Sequence, residues 1–335
     1  MSKPLSVLVT GGAGYIGSHC CKALSEAGFH PVCYDNLSTG HRDFIKWGQF
    51  VSGDIRDTDR LRDTLRAHDV AAVMHFAAFS LVGESVADPQ KYYLNNVVGT
   101  ASLLQAMRDA GCSRFVLSST GAVYGNAASR LISETDRCEP INPYGSSKWM
   151  IEQILSDFRR AYGFNSFCLR YFNASGADPS AVIGEFRDPE THLIPRAMMA
   201  LQGYAPDFSI FGDDYDTPDG TAIRDYIHVT DLAAAHVLAL GLLLDGHEGG
   251  SFNLGTGKGF SVREILAAIA AETGRPVPQA VKPRRPGDPA MLVADPQRAR
   301  EVLKFEARHS DLPTIIRTAW AWHLRAHPAR TSALA

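Results

Sequence analysis

The composition is that of an ordinary globular protein, and it argues against several classes. Of the 335 residues, 45% are hydrophobic and 21% charged, so the chain can bury a full core and shows no bias toward disorder. The formal net charge of −3 gives no electrostatic reason to bind nucleic acid or an anionic membrane. The six cysteines form no C-x-x-C pair or metal-like cluster, so we expect reduced thiols, no metal and a cytoplasmic location.

The first predicted strand, residues 5–9, runs into a glycine-rich turn and then a predicted helix, residues 16–27. Glycine suits this turn because the chain bends sharply and because a diphosphate and the helix both approach the backbone closely. The N–H groups at the helix N-terminus would face the phosphates. Gly12, Gly14 and Gly17 fit G-x-G-x-x-G. The turn therefore predicts a dinucleotide site, with an ordinary strand–helix turn as the less favoured alternative.

An acidic residue follows the second predicted strand, residues 32–34. Asp35 lies 21 residues after Gly14, near the spacing at which a carboxylate binds the ribose of a dinucleotide. A carboxylate there repels a 2′-phosphate, so the pattern favours NAD over NADP. No Gly-Lys-Ser/Thr follows the turn, which excludes a nucleoside-triphosphate loop.

Further strand-like and helix-like segments alternate along the first half of the chain. The strand-like segments are residues 50–52, 71–76, 114–117 and 165–169, and the long helix-like ones are residues 90–110 and 144–162. This alternation predicts an α/β fold with a doubly wound parallel sheet. Ligands bind outside the carboxyl ends of such strands, which are followed here by residues 54–55, 76–79, 118–120 and 171–173.

The pattern changes after about residue 175, where loops rich in Gly, Pro and Asp separate short strands. We expect a cofactor domain over residues 1–175 and a mainly substrate-binding region over residues 176–335, with some segments returning to the first domain. A helix over residues 261–272 should begin with the capping box Ser261-x-x-Glu264. The apolar run over residues 232–244 is too short for a membrane span and predicts a buried helix.

The segment NPYGSSK carries a candidate catalytic pair at the start of a helix. Tyr144 and Lys148 are four residues apart, which places phenol and ammonium on one helix face. An ordinary Tyr has a pKa of about 10 and is a poor base at neutral pH. A nearby cation lowers that pKa, so Tyr144 is predicted to take a proton from a sugar hydroxyl while hydride moves to NAD. The less favoured alternative is a surface helix on which Tyr and Lys occur by chance.

Several motifs, in this order, make the chain resemble the UDP-glucose 4-epimerases, which are extended short-chain dehydrogenase/reductases. The motifs are TGGAGYIGSH, YDNLS, GDIRD, HFAA, VGES, NNVVGT, SST..VYG, YGSSK, RYFN and RDYIHVTDLA. The resemblance spans residues 10 to about 295 and includes the spacing T-G-x-x-G-x-x-G. It implies oxidation of a UDP-hexose at C4 by bound NAD, rotation of the 4-keto sugar, and return of the hydride to its opposite face.

The resemblance also assigns site residues. It implies that Tyr144 is base and acid, that Lys148 binds the ribose and tunes the phenol, and that Thr120 bonds the sugar's 4-oxygen. The turn and the resemblance together predict these cofactor-binding residues: Gly11, Gly14, Tyr15, Ile16, Gly17, Asp35, Asn36, Asp54, Ile55, Phe76, Ala77, Ala78, Ser80, Asn95, Tyr144, Lys148 and Phe172. Some members carry Lys where this chain has Ser80, which leaves one expected phosphate contact without its residue.

The substrate's uridine diphosphate is expected in the later half. The residues implied for substrate binding, besides Thr120 and Tyr144, are Asn173, His192, Leu193, Arg224, Arg285, Asp288 and Leu292. Arg suits a diphosphate because its planar fork donates two hydrogen bonds to phosphate oxygens. Some members have an Asn pair where this chain has Thr191 and His192.

Leu292 bears on how wide a sugar the site accepts. Members restricted to UDP-glucose and UDP-galactose often carry Tyr there, beside the C2 and C6 side of the sugar. Leu is smaller, so we expect room for an N-acetyl group and turnover of UDP-N-acetylhexosamines. The alternative is that Leu292 packs against apolar neighbours and fills the space.

Other functions are compatible with the same fold. A nucleotide-sugar 4,6-dehydratase would carry Asp-Glu directly after Thr120, where this chain has Gly121 and Ala122. An epimerase for UDP-pentoses or UDP-uronates, a decarboxylase, and a non-catalytic NAD sensor remain open. The resemblance further implies a homodimer through residues 90–110 and 144–162. Apolar positions in the first of these, such as Leu103, Leu104 and Met107, are also what packing on the sheet would require.

Overall fold

The computed structural model describes residues 3–126, 131–285 and 288–327. The strands, numbered in chain order over these residues, are β1 (Ser6–Thr10), β2 (His30–Asp35), β3 (Gln49–Ser52), β4 (Val70–His75), β5 (Arg114–Thr120), β6 (Asn165–Tyr171), β7 (Asn173–Ser175), β8 (Ser209–Phe211), β9 (Ile223–Arg224), β10 (Tyr226–His228), β11 (Gly249–Leu254), β12 (Phe260–Ser261), β13 (Ala280–Lys282) and β14 (Met291–Leu292). The α-helices are α1 (Tyr15–Glu26), α2 (Thr58–Ala67), α3 (Val82–Ala87), α4 (Pro89–Tyr92), α5 (Gly99–Ala110), α6 (Pro143–Tyr162), α7 (Leu193–Leu201), α8 (Val229–Leu244), α9 (Val262–Thr273) and α10 (Leu312–Ala326). Short 3₁₀ turns cover Arg42–Phe44 and Gly121–Tyr124, and π-helical turns cover Tyr93–Val98 and Ala299–Leu303.

A seven-stranded sheet in the order β11-β6-β5-β4-β1-β2-β3 forms the centre of the molecule, and all its neighbouring strands are parallel. Helices cover both faces, because successive side chains of a strand point to opposite sides. Val7 and Val9 pack in a cluster with residues of α1 and α8. Leu8, between them, packs in the cluster that includes residues of α2, α5 and α6. The predicted doubly wound α/β fold is confirmed.

The strand order reverses between β1 and β4, which are neighbours in the sheet although β2 and β3 lie between them in sequence. In a doubly wound sheet the crevice at such a reversal, outside the carboxyl ends of the strands, is where ligands bind. The glycine turn after β1 and the loop after β4 therefore meet at the expected place.

The predicted helix over residues 90–110 is one helical run with an interruption. It consists of α4, the π-helical turn Tyr93–Val98 and α5. Asn96 in this turn is buried, accepts from Phe79 N (2.9 Å), and donates from Nδ2 to Phe79 O (3.0 Å) and to Ser147 Oγ (3.1 Å). Such turns often occur at functional sites. Here the turn aims polar side chains at the loop that follows β4.

The predicted helix over residues 144–162 corresponds to α6, which starts one residue earlier with Pro143 at its first turn. Asn142 caps it by accepting from Gly145 N at 2.9 Å. Gly163 ends it at a φ of 71°, a left-handed conformation that favours glycine. The local sequence thus determines both ends of the helix that carries Tyr144 and Lys148.

The later part of the chain builds smaller sheets in the order β10-β7, β12-β9-β14 and β13-β8. Residues of α7, α9 and α10 share a separate apolar cluster there. Helix α9 has the predicted capping box, with Ser261 Oγ accepting from Glu264 N (3.1 Å) and Ser261 N donating to Glu264 Oε2 (2.7 Å).

Two elements of the later part pack with the large sheet. Strand β11 pairs with β6, and α8, which contains the predicted buried helix, packs against α1. The division at residue 175 itself stays a prediction. Within the described residues, no helix is long and apolar enough to span a lipid bilayer. All six cysteines lie in described segments as unpaired thiols, five of them buried.

Candidate active site

The glycine turn after β1 is packed so closely that side chains do not fit. Gly11 has a φ of 73°, and a Cβ atom there would lie 2.6 Å from Ala77 N in the loop after β4. A Cβ atom at Gly17 would lie 2.2 Å from the Gly11 carbonyl oxygen. Cβ atoms in proteins essentially never make non-bonded contacts this short. The turn therefore leaves a cradle of bare backbone at the N-terminus of α1, which is what a dinucleotide diphosphate requires.

A cleft of about 450 Å³ opens beside this turn. It is lined by nine of the predicted cofactor residues: Gly11, Gly14, Asp35, Asn36, Ile55, Phe76, Ala77, Ala78 and Asn95. Its other lining residues, which the sequence did not single out, are Tyr34, Thr39, Gly40 and Gly53. The remaining predicted cofactor residues lie outside this lining: Tyr15, Ile16, Gly17, Asp54, Ser80, Tyr144, Lys148 and Phe172.

The Asp35 carboxylate is fixed at the end of β2. Its Oδ2 accepts from Ala13 N (3.0 Å) and its Oδ1 from Leu37 N (2.8 Å). Burial raises the pKa of Asp35, and these two backbone donors oppose the rise. Each carboxylate oxygen keeps a second lone pair, so the group can still accept from two ribose hydroxyls.

Asp54 and Ile55, predicted as an adenine-contacting pair, differ in their surroundings. The Asp54 carboxylate accepts two hydrogen bonds from the guanidinium of Arg56 (2.9 and 2.8 Å) and one from Asn36 Nδ2 (3.1 Å), and Arg56 holds its pKa well below the usual range. Ile55 is buried and lines the cleft. Of the pair, Ile55 therefore lines the cleft, while Asp54 hydrogen-bonds Arg56 and Asn36 outside it.

The predicted catalytic residues meet where β5 ends. Thr120 is the last residue of β5, and its Oγ1 accepts from Ala122 N at 3.1 Å. Burial raises the pKa of the Tyr144 phenol, and the Thr120 hydroxyl and the charge of Arg187 both oppose the rise. Lys148 donates from Nζ to Ser118 O at 2.8 Å, and burial lowers its pKa to about 8, against the effect of Glu152.

That Lys148 lowers the pKa of the Tyr144 phenol stays a prediction. The described groups that lower the pKa of Tyr144 are Thr120 and Arg187. Arg187 was not among the predicted site residues. In the segment GEFRDPE it stands near acidic residues, a pattern that is also typical of a solvated surface pair. The sequence offered no local signal for its location.

Among the residues predicted to bind substrate, Arg224 and Asp288 form an ion pair with Nη2 and Oδ1 2.5 Å apart. The Arg224 side chain is 13% exposed and the Asp288 side chain 31%. The pair is therefore partly buried, with Asp288 the more accessible partner. Leu292 lies opposite Arg224 in the pairing of β14 with β9. Arg285 stacks its guanidinium on the ring of Phe211, 4.1 Å from the ring centroid.

Leu292 also joins a small apolar cluster. Its buried members are Val123, Tyr124 and Ile132, and Phe172 and Leu292 pack against them. The structure thus brings together two residues predicted for different ligands, Phe172 for the cofactor and Leu292 for the sugar. Leu292 is partly buried, so part of its surface remains free to face a ligand.

Asn173, His192 and Leu193 line a second cleft of about 480 Å³. His192 Nδ1 lies 2.9 Å from a carboxylate oxygen of Glu190 and 3.3 Å from one of Glu185. Leu193 is the first residue of α7. The predicted substrate residues are thus distributed over two neighbourhoods, one around this cleft and one around Arg224 and Asp288.

Comparison with known proteins agrees with this geometry. Residues 7–255 match the family model described as the NAD dependent epimerase/dehydratase family. The chain belongs to this family. It is 51% identical to a UDP-glucose 4-epimerase of Rhizobium leguminosarum bv. trifolii, over 96% of this chain and 98% of that protein.

Solved structures are similar over the same extent. UDP-glucose 4-epimerase from Brucella ovis in complex with NAD has a TM-score of 0.93 at 54% identity, covering 94% of this chain and 97% of its own. UDP-glucose-4-epimerase from Stenotrophomonas maltophila, with bound NAD and formylated UDP-arabinopyranose, has a TM-score of 0.94 at 41% identity, covering 97% of this chain and all of its own (100%). The family member therefore uses NAD, as the glycine turn and Asp35 predict.

Proposed function

We propose that this protein is an NAD-dependent UDP-hexose 4-epimerase that interconverts UDP-glucose and UDP-galactose. The observation that carries the proposal is the partly buried phenol of Tyr144, which hydrogen-bonds with Thr120 at the carboxyl end of β5, in the same parallel sheet whose glycine turn after β1 forms the dinucleotide cradle. Relatives at about half identity over nearly the whole chain are UDP-glucose 4-epimerases. The geometry of the site and the similarity to these relatives therefore support the same reaction.

Each catalytic residue has a distinct task. Tyr144 removes the proton of the sugar's 4-hydroxyl and returns it after the sugar has turned. Thr120 holds the 4-oxygen through its hydroxyl, and Lys148 binds the ribose of the cofactor. Bound NAD would accept the hydride from C4 and give it back to the opposite face, so there is no net oxidation.

The substrate's diphosphate is assigned to Arg224, Arg285 and His192, with Asp288 accepting from a ribose hydroxyl. Arg224 offers a guanidinium that is largely withdrawn from water, which strengthens a charge-assisted bond to phosphate. Asp288 neutralises it until the substrate binds.

A 4,6-dehydratase is disfavoured on steric grounds as well as by residue type. A Cβ atom at Gly121 would lie 2.6 Å from the ring of Phe172, so an acidic side chain does not fit there without moving that ring. UDP-pentose, UDP-uronate and UDP-N-acetylhexosamine epimerases, a decarboxylase and a non-catalytic NAD sensor differ from the proposal in substrate range or turnover, and a direct assay separates them.

The assay is turnover of UDP-galactose, with the product identified by NMR or chromatography. We expect UDP-glucose to appear without added cofactor and without accumulation of NADH. UDP-pentose, UDP-uronate and UDP-N-acetylhexosamine are supplied in parallel. A product that has lost water or carbon dioxide, turnover of only one of those alternative substrates, or no turnover at all would each contradict the assignment.

We also propose a homodimer. Leu103, Leu104 and Met107 are fully buried in the core beneath α5, so sheet packing accounts for them. The same helical run nevertheless exposes Leu94 and Val98, which are 45% and 48% accessible, and α6 exposes Met150 at 41%. These side chains support an interface. A monomer mass by light scattering across micromolar concentrations would end the idea.

A cytoplasmic location is the last part of the proposal. Five of six cysteines are buried thiols, and burial raises the pKa of Cys20, Cys112 and Cys168. Such thiols suit a reducing compartment. Cell fractionation with detection of the native protein tests it, and recovery outside the cytoplasm would refute it.

A further inference from the structure

The segment that precedes Arg187 is anchored on both sides. Trp322 Nε1 donates to the Glu185 carbonyl at 2.8 Å, and a Cβ atom at Gly184 would lie 2.3 Å from the Trp322 ring. On the other side, His41 Nε2 donates to the Phe186 carbonyl at 3.0 Å. His41 follows β2 on the cofactor side, and Trp322 lies in α10. The backbone at Arg187 is therefore fixed between the two halves of the site.

The guanidinium of Arg187 points to the cofactor-binding loop. Its Nε donates to Glu185 Oε1 (3.0 Å) and its Nη1 to Ser80 Oγ (3.2 Å), a residue 107 positions away in sequence. Its Nη2 has no hydrogen-bond partner among the described residues, and the side chain is 28% exposed. A rigidly held arginine thus keeps one guanidinium nitrogen without a partner among the described residues and partly exposed to solvent.

Its charge reaches both ends of the cofactor site. Arg187 lowers the pKa of Tyr15, the first residue of α1 after the glycine turn, against the larger effect of burial. It acts in the same sense on Tyr144 and Tyr171, which lie at the catalytic end. The other charged groups facing it are Glu185 and Glu190. The hydrogen bond to Ser80 places the guanidinium beside the loop after β4, and Ala77 of this loop packs against Gly11 of the glycine turn.

The cofactor cleft itself provides no cation. None of the described residues that line it is Lys, Arg or His, and it contains the Asp35 carboxylate. A dinucleotide diphosphate carries two negative charges, and backbone N–H groups with a helix dipole offset only part of them. A side chain from elsewhere in the chain can supply the remaining positive charge.

We propose that Arg187 binds the diphosphate of the dinucleotide cofactor, reaching it from the later half of the chain beside Ser80. The free Nη2 and the adjacent Nη1 form a planar fork that matches two phosphate oxygens. Ser80 orients the fork, and Glu185 holds its far side. Arg187 is thereby a cofactor ligand contributed by the region expected to bind substrate, and it links cofactor retention to the order of that region.

The experiment measures cofactor release directly, in the purified full-length protein. Bound NAD is exchanged against excess isotopically labelled NAD and followed by mass spectrometry, without any sugar nucleotide. In Arg187→Met we expect exchange about tenfold to a hundredfold faster, since one charge-assisted contact is lost. Arg187→Lys, which keeps the charge and loses the fork, should fall between it and the wild type.

Two further variants separate this role from a structural one. Glu185→Gln breaks the ion pair but leaves the guanidinium, so it should exchange NAD within a few-fold of the wild-type rate. Arg196→Met is the matched control, because Arg196 is 27% exposed and pairs with one carboxylate, Asp207, at 2.9 Å. It should exchange like the wild type.

The proposal is overturned if Arg187→Met exchanges NAD at the wild-type rate, including the case in which it loses affinity for the UDP-sugar alone. It is also overturned if Glu185→Gln accelerates exchange as much as Arg187→Met, since the ion pair would then be the cause. If Arg187→Met does not fold, Arg187→Lys decides, and an unchanged rate in it refutes the role. Because no sugar is present, these results do not depend on which sugar is epimerised.

Discussion

The cofactor side and the substrate side of the site are built in different ways. The cofactor cleft lies along β1, β2 and β4 of one parallel sheet, and six of its thirteen described lining residues are glycine or alanine. The substrate side rests on strands of two or three residues, β8, β9, β13 and β14, and on charged side chains such as Arg224 and Asp288. The first is a shape imposed by sheet packing, and the second is a balance of charges set by residues far apart in sequence.

This difference predicts how each side responds to a substitution. A cradle of bare backbone has no flexible group that can yield, so an added methyl group displaces the chain. A partly exposed ion pair can rearrange and is screened by solvent, so its loss changes affinity and leaves the fold nearly unchanged. The following variants test the contrast, from the largest expected effect to the smallest.

Tyr144→Phe removes the proton carrier where the two sides meet. Turnover of UDP-galactose should fall by about 10²- to 10⁴-fold, the usual contribution of general acid–base catalysis. NAD should stay bound, because the ring and its edge-on contact with Tyr92 remain. Activity and NAD content per chain are measured on the same sample, and turnover near the wild-type rate refutes the assignment.

Gly17→Ala changes the cofactor side alone. The new Cβ atom would lie 2.2 Å from the Gly11 carbonyl oxygen, so α1 has to move away from the turn. We expect a loss of about 1–3 kcal/mol in stability and little bound NAD. Thermal unfolding and NAD content measure the two effects.

Gly241→Ala is the matched control for that variant. Gly241 lies inside α8, has an ordinary φ, and has no atom within 4 Å of the position of an added Cβ. The change should leave NAD content unaltered and raise stability by up to about 1 kcal/mol, because alanine is the better helix former. Equal damage from both variants would contradict the cradle as the cause.

Arg224→Met changes the predicted substrate side alone. Losing a charge-assisted contact to the substrate diphosphate should raise KM for UDP-galactose by about tenfold to a hundredfold. NAD content and unfolding temperature should stay close to wild type. Arg263→Met serves as control, since Arg263 is 50% exposed and 3.7 Å from Asp213. A drop in NAD content in the Arg224 variant would show that the two sides are not separable.

Leu292→Tyr changes the range of sugars alone, leaving turnover of the plain hexoses intact, and sharpens the comparison at the sugar. The wild type should turn over UDP-N-acetylglucosamine or its galacto epimer alongside the plain hexoses. The variant should lose that activity by about 10- to 200-fold, the usual value of a few atoms in a pocket, while keeping UDP-galactose turnover. A wild type that ignores the N-acetylated substrate would instead favour Leu292 as a filler of the cluster with Phe172.

The comparison also explains which predictions succeeded. The alternation of strands and helices that implies a parallel sheet, the glycine spacing of the turn and the capping box of α9 were predictable, because each of these signals is a pattern of residues a few positions apart. The π-helical turn at Tyr93–Val98 was not, because the bonds of Asn96 to Phe79 and Ser147 accompany it and come from other parts of the chain.

By itself, then, the sequence determined the sheet, the cofactor type and the helix that carries Tyr144 and Lys148. Local spacing suffices there, since parallel strands bring their carboxyl ends to one edge of a sheet. Only the tertiary structure decided which charges meet. Arg187 donates to Ser80 across 107 positions, and Arg224 pairs with Asp288 across 64. Contacts between residues so distant depend on how loops pack over that edge, and no periodicity along the chain encodes them.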